Sequence, residues 1–350
     1  MKRIAAIISA AFVLLSLCAC ADDPREGTDG TLAIVETPGE TESAAVTENS
    51  VQTEGSVSNE PDPDTVVPVS PLLWRVTDTN GHELYLFGTI HAGDERNDRV
   101  FERISPVLTN CDALAVEFDT VAYENDMAQM TRDVAQYVLI DGTTISDHMP
   151  DELYSRTADL LNRAKMYPEL YKKYNLAWWA QLVDTAMLTL YSDLDTEKGM
   201  ETFLIDFAYE KEMPVLNVES ASFQMSLLNS FKDELYILLI EDELNGADTY
   251  GDELDALYEL WLSGDLDAFW KYLATEDDEH EYTEEQIALI EDYDRRLLDD
   301  RNLGMFDRAV EYLESGDTVF FAVGAAHMAN EAGLVRLLTD AGYSVETVDY

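Results

Sequence analysis

Thr318-Val319-Phe320-Phe321-Ala322-Val323-Gly324-Ala325-Ala326-His327 is the stretch that decides the fold. Five of its first six residues are apolar, and a short apolar run closed by glycine reads as an inner strand covered on both faces. Glycine lets the backbone turn sharply or another group come close. His327 then falls just past the carboxyl end of the strand, where open α/β sheets bind their ligands. The pattern has an earlier counterpart: Leu84-Tyr85-Leu86-Phe87 runs into Gly88-Thr89-Ile90-His91. Two more buried-strand runs end in acids, Ala113–Val116 before Glu117 and Met213–Val218 before Glu219-Ser220. Parallel pairing of the four would bring His91, Glu117, Glu219 and His327 to one edge of a sheet.

The rest of the chain fits around these strands. Leu73–Thr77 alternates like a strand, and Asn80-Gly81 is the strongest short hairpin signal, so an opening hairpin ends in the first Gly-x-x-His. Val100, Ile104 and Leu108 have helical spacing, with Pro106 weakening the last turn. The chain from Tyr123 to Tyr209 is expected to be mostly helical. Pro168 is expected to start a helix carrying Tyr171, Tyr174, Leu176, Trp178 and Trp179, an aromatic face read as core. Residues 199–208 form another amphipathic segment, and helices resume from Phe223 to about Glu314. In that stretch Glu276–Glu279 reads as a solvated face, and Thr283-Glu284-Glu285-Gln286 as a capping box opening the helix that leads to Arg301-Asn302. A helix over Asn330–Thr339 and a strand ending near Val348 close the chain. The expected architecture is α/β: a central, mostly parallel sheet with an opening hairpin and a large helical middle section.

Composition narrows the setting. There are 71 Asp+Glu against 22 Lys+Arg, a net charge of -49. That argues against nucleic acid as a partner, because phosphate binding needs clustered basic residues. Lys2-Arg3 followed by the apolar run Ile4–Leu17 has the layout of a signal segment, too short to span a membrane. It ends Leu17-Cys18-Ala19-Cys20, which resembles a bacterial lipoprotein signal with Cys20 as the lipidated residue. A plain secretory signal is the alternative. Residues 1–20 are therefore expected to be a signal peptide, 21–70 an acidic linker, and 71–350 the folded domain. The linker has 12 acidic residues and one basic residue. Such a chain buries too little to fold and reaches about 40 Å. Cys111 is alone in the folded part, which points to a buried structural thiol.

Two histidines with one or two carboxylates make a plausible set for a divalent metal with an open position. Such a metal lowers the pKa of bound water and polarises a carbonyl. Arg301 suits a carboxylate or a developing oxyanion. His91 and His327 are 236 positions apart (327 − 91), so no local metal motif exists. Each residue also has a structural reading: the histidines as satisfied strand-end side chains, the glutamates as caps or ion-pair partners, and Arg301 as a partner of the acidic surface. His82, His148 and His280 are assigned no chemistry.

In combination these pieces resemble the TraB/GumN family, which includes the Tiki proteases. The resemblance is carried by Phe87-Gly88-Thr89-Ile90-His91, Gly324-Ala325-Ala326-His327, Trp74-Arg75-Val76 and Leu114-Ala115-Val116-Glu117. It continues through Gly199-Met200-Glu201, Asn217-Val218-Glu219-Ser220, Asp300-Arg301-Asn302, Gly333-Leu334 and Gly342–Val345. It covers about Pro71 to Tyr350 and departs at Val218 and Asn330. It implies a fold similar to erythromycin-esterase and ChaN-like proteins. It also implies metal-dependent peptide cleavage with manganese, cobalt or zinc. By that resemblance His91, His327 and Glu117 hold the metal, and Glu117, Glu219, Arg301 and Asn302 form the catalytic set. Pheromone-shutdown relatives imply the alternative, a peptide-binding or sequestering surface lipoprotein. An esterase would share the same site.

Overall fold

The computed structural model describes residues 69–275 and 281–348. The signal segment, Cys20, the linker up to residue 68, the Glu276–Glu279 run and His280 lie outside the described residues. Val69 is 3% exposed and Ser70 donates its amide to Leu262 O at 2.8 Å. These two residues, expected in the linker, already belong to the fold.

Six strands form one sheet: β1 (Leu73–Thr77), β2 (Glu83–Thr89), β3 (Ala113–Val116), β4 (Val215–Asn217), β5 (Val319–Gly324) and β6 (Ser344–Thr347). Their order is β4-β3-β5-β2-β1-β6. β4, β3, β5 and β2 pair in parallel, while β1 is antiparallel to both β2 and β6. The opening turn is built as expected: Asp78 Oδ1 accepts from the amides of Asn80 and His82, both at 2.8 Å, and Gly81 takes φ +89°. β3 is buried throughout, and β5 up to its last residue, because parallel neighbours and helices cover them. β4 departs from the expected inner strand Met213–Val218. It has three residues and is partly exposed, since it is the edge of the sheet.

Two hydrophobic cores result. One surrounds the sheet and includes Leu86, Phe87, Leu114, Phe320 and Phe321. The other lies wholly among helices and includes Tyr137, Trp178, Trp179, Leu182, Ile240 and Tyr293. Full burial of each large apolar side chain contributes about 1.5–3 kcal/mol, so the helical section has a substantial core of its own beside that of the sheet. The aromatic face is core, as expected, but its helix is Leu176–Tyr191. Pro168 opens only a short 3-10 turn, Pro168–Leu170, and Asn175 caps the true helix by accepting from Trp178 N at 3.2 Å. The closing helix likewise starts at Leu334 rather than Asn330, because Asn330 sits at φ +66° and cannot lie in a right-handed helix. The capping box at Thr283 and Gln286 is present. Its helix, Glu284–Asp294, continues through a π turn, Arg295–Asp299, into Asp300–Ser315. Cys111 is buried, and burial raises its thiol to about 12, as fits a structural role.

Candidate functional site

The carboxyl ends of β2, β5, β3 and β4 bring the four expected residues to one edge. Gly324, the last residue of β5, donates its amide to Glu117 Oε1 at 3.1 Å. A Cβ added at Gly324 would lie 3.5 Å from Glu117 Oε1, 3.7 Å from His327 Cδ2 and 3.8 Å from His91 Nε2. Glycine thus leaves a small hollow faced by both imidazoles and one carboxylate oxygen. His327 Nε2 is 4.0 Å from Glu117 Oε1 across it.

Arg301 does not face that hollow as a free cation. Nε and Nη2 donate to the two oxygens of Glu219 at 3.0 and 2.7 Å, Nη2 also donates to Glu117 Oε2 at 2.6 Å, and Nη1 donates to Leu297 O at 3.2 Å. Arg301 thus binds carboxylates, as its chemistry suits, and they are the chain's own Glu117 and Glu219. The π turn ends two residues before Arg301, and such turns recur at functional sites. Ser220 caps helix Ala221–Leu228 by accepting from Phe223 N. One turn on, Gln224 Nε2 donates to Glu117 Oε2 at 2.8 Å and Glu219 Oε2 at 3.0 Å. Glu117 is left with only Oε1 facing the hollow.

Each histidine is gripped from behind. His327 Nδ1 donates to Asn302 Oδ1 at 2.7 Å, while Asn302 Nδ2 donates to Ala332 O at 3.0 Å and so fixes which end of the amide meets the ring. His91 Nδ1 lies 3.0 Å from Glu201 Oε1, an oxygen that Thr89 Oγ1 also donates to. The electrostatics differ accordingly. Burial and the Arg301 charge hold His327 down to about 3, a neutral ring. Burial works against the charged form of His91 too, but Glu201 outweighs it and raises the value above the ordinary one. Burial also opposes ionisation of Glu117, yet the Arg301 charge above all, with the Gly324 amide, keeps it below the usual carboxylate range.

Gln224 and Glu201 were not assigned chemistry from the sequence. Gln224 carries no signal of its own. Glu201 was visible only as the third residue of Gly199-Met200-Glu201. The remaining described histidines sit apart with local partners: His82 beside Asp78 at 3.0 Å, His148 beside Thr143 at 2.7 Å.

Among the described residues no group of three or more His, Cys, Asp or Glu side chains stands arranged to hold a metal ion. The residues around Gly324 nevertheless suit a divalent metal in kind: His91 Nε2, the Cδ2 edge of His327 and one carboxylate oxygen border one hollow, and Nδ1 of each ring lies beside an acceptor oxygen, as in metal-ligating histidines generally.

The TraB/PrgY/gumN family model matches residues 72–347. The chain is 23% identical over 267 residues to a protein of Escherichia coli (strain K12) named Uncharacterized protein YbaP, covering 75% of this chain and 90% of that one. A Shigella flexneri protein of the same name is 23% identical over 258 residues, covering 73% and 87%.

Proposed function

We propose, on the footing that the chain belongs to the TraB/PrgY/gumN family, that it is a divalent-metal-dependent hydrolase acting on peptides. The observation that carries this reading is the hollow over Gly324, faced by His91 Nε2, His327 and Glu117 Oε1. His91, His327 and Glu117 would hold the metal; manganese, cobalt and zinc are the candidates. When bound, such a metal lowers the pKa of water and polarises a carbonyl.

The chain's own residues do the rest. Asn302 accepts the Nδ1 proton of His327 and leaves its Nε2 lone pair toward the hollow. Arg301 and Gln224 take Glu117 Oε2, so the carboxylate can offer only Oε1. Both oxygens of Glu219 are held by Arg301, which makes Glu219 the anchor of Arg301 and leaves Glu117 as the carboxylate nearest any reacting water. Low-dielectric burial strengthens each of these interactions. We further place the protein outside the cell membrane, lipid-anchored through Cys20, on the strength of Leu17-Cys18-Ala19-Cys20.

The test is metal content of the full chain beside a His91→Ala/His327→Ala variant, followed by peptide-cleavage assays with manganese, cobalt and zinc. Near-stoichiometric metal that vanishes in the variant, together with cleavage, supports the reading. A well-folded protein that takes up none of these ions defeats it. Peptide affinity that survives in the double variant would then identify a sequestering protein.

A further inference from the structure

We infer that Glu201 is a positioning residue for His91: its Oε1 accepts the Nδ1 proton, leaving the Nε2 lone pair directed at the hollow over Gly324. The consequence for metal binding rests on the function proposed above; the geometry does not.

Glu201 is 6% exposed and lies in the first turn of helix Met200–Glu210. Its Oε1 lies 3.0 Å from His91 Nδ1 and accepts from Thr89 Oγ1, the last residue of β2 and two residues before His91. Its Oε2 is buried with no hydrogen-bond partner among the described residues. A buried carboxylate with one oxygen unsatisfied is costly, so its placement is explained by what Oε1 does.

The backbone leaves Glu201 little choice of position. Met200 N donates to Ile90 O at 2.9 Å, and Gly93 and Asp195 exchange amide–carbonyl bonds at 3.0 and 2.8 Å. Asn97 Nδ2 donates to Lys198 O at 2.6 Å. A Cβ at Gly199 would meet His91 O at 2.4 Å, so only glycine lets the helix start this close to the loop. Segments 89–97 and 195–201 are thus laced together, and Glu201 meets His91 Nδ1 from a fixed direction. On the other side Asn302 does the same for His327. The two rings are held alike but by different chemistry, one by a carboxylate and one by a carboxamide.

A merely structural ion pair would tie helix to loop without selecting a tautomer, and this separates the two roles. The full-length chain, labelled with 15N-histidine in detergent micelles, is studied by long-range proton–nitrogen correlation at alkaline pH, where imidazoles are neutral. His91→Gln assigns the signals. Wild type is expected to show His91 protonated on Nδ1. Glu201→Met, similar in length but without an acceptor, is expected to shift the proton to Nε2, and Glu201→Gln to restore Nδ1 through its amide oxygen. An unchanged Nδ1–H form in Glu201→Met overturns the assignment. Should that variant not fold, Glu201→Gln decides: Nδ1–H supports the inference and Nε2–H overturns it. Cobalt titration separates this from the proposed function. If wild type binds cobalt, Glu201→Met is expected to bind about 10- to 100-fold more weakly. If wild type takes no cobalt yet its tautomer depends on Glu201, the metal reading fails and the role of Glu201 stands.

Discussion

Arg301 Nη2 lies 2.6 Å from Glu117 Oε2 and 2.7 Å from Glu219 Oε2, so one guanidinium joins the ends of β3 and β4. All three side chains are at most 9% exposed. Removing the cation strands two buried carboxylates. Arg301→Met is expected to cost about 3–5 kcal/mol, the usual result of breaking a buried pair from one side. Combining it with Glu117→Gln and Glu219→Gln should return much of that loss. Urea unfolding of the single and triple variants measures both; a single variant as stable as wild type contradicts the account.

Gly324→Ala separates stability from function. The added Cβ meets its nearest neighbours at 3.5–3.8 Å, ordinary contact distances, and Gly324 has φ −48°, which alanine adopts freely. The melting temperature should hold or rise slightly, since replacing glycine at a compatible position contributes about 0.4–1 kcal/mol. The methyl group occupies the hollow that the metal would use, so metal uptake and hydrolysis should fall sharply. Full metal binding in this variant would place the metal elsewhere.

Asn302→Leu tests the grip on His327. The leucine removes the acceptor of the Nδ1 proton, and the ring becomes free to carry its proton on Nε2. Metal affinity is expected to drop about 10- to 100-fold, as for lost partners of ligating histidines generally. Isothermal titration with manganese or cobalt reads the change, and Asn302→Asp, which keeps an acceptor, should retain more affinity than Asn302→Leu.

A second buried acid pair sets a pH dependence. Asp184, on helix Leu176–Tyr191, and Glu243, on helix Asp233–Asn245, are 4% and 7% exposed. Burial, the Asp184 charge and a hydrogen bond to Asp184 hold the Glu243 carboxyl well above its usual range. Burial, with the charges of both acids, raises the Tyr250 phenol, and burial raises that of Tyr236, to which the Asp184 charge also contributes. The fold keeps a proton that the unfolded chain releases. Stability from this group is therefore complete at acidic pH and declines as pH rises from the ordinary carboxylate range toward the raised value. The slope is at most about 1.4 kcal/mol per pH unit for one proton. Glu243→Gln should flatten that decline and be more stable than wild type at neutral pH. Urea midpoints across pH for the two proteins check this, and parallel curves would refute it.

Cys20→Ser is expected to move the protein from the membrane fraction to the soluble extracytoplasmic fraction. Fractionation with palmitate labelling reads this, and unchanged membrane association would remove Cys20 as the anchor.

Much of the frame was legible because it is local. The apolar runs before Gly88, Glu117 and Gly324 mark strands through periodicity, and Asn80-Gly81 marks a turn through backbone preference. The failures have local causes of a different kind. Pro168 is compatible with helix entry, but the capping oxygen comes from Asn175, after the six residues 169–174. β4 has an apolar sequence yet lies at the sheet edge, a matter of strand order rather than of composition.

The sequence alone determined that four strands run into His91, Glu117, Glu219 and His327, that the chain carries a net charge of -49, and that glycine precedes both histidines. Only the tertiary structure decided what those residues touch. It gave His91 to Glu201, 110 positions away (201 − 91), and His327 to Asn302. It also chose Glu117 and Glu219 as the carboxylates that Arg301 binds. Periodicity records which way a residue faces over a few positions. The partner of a buried polar group is chosen by where distant backbones pack and by the cost of leaving its hydrogen bonds unmade.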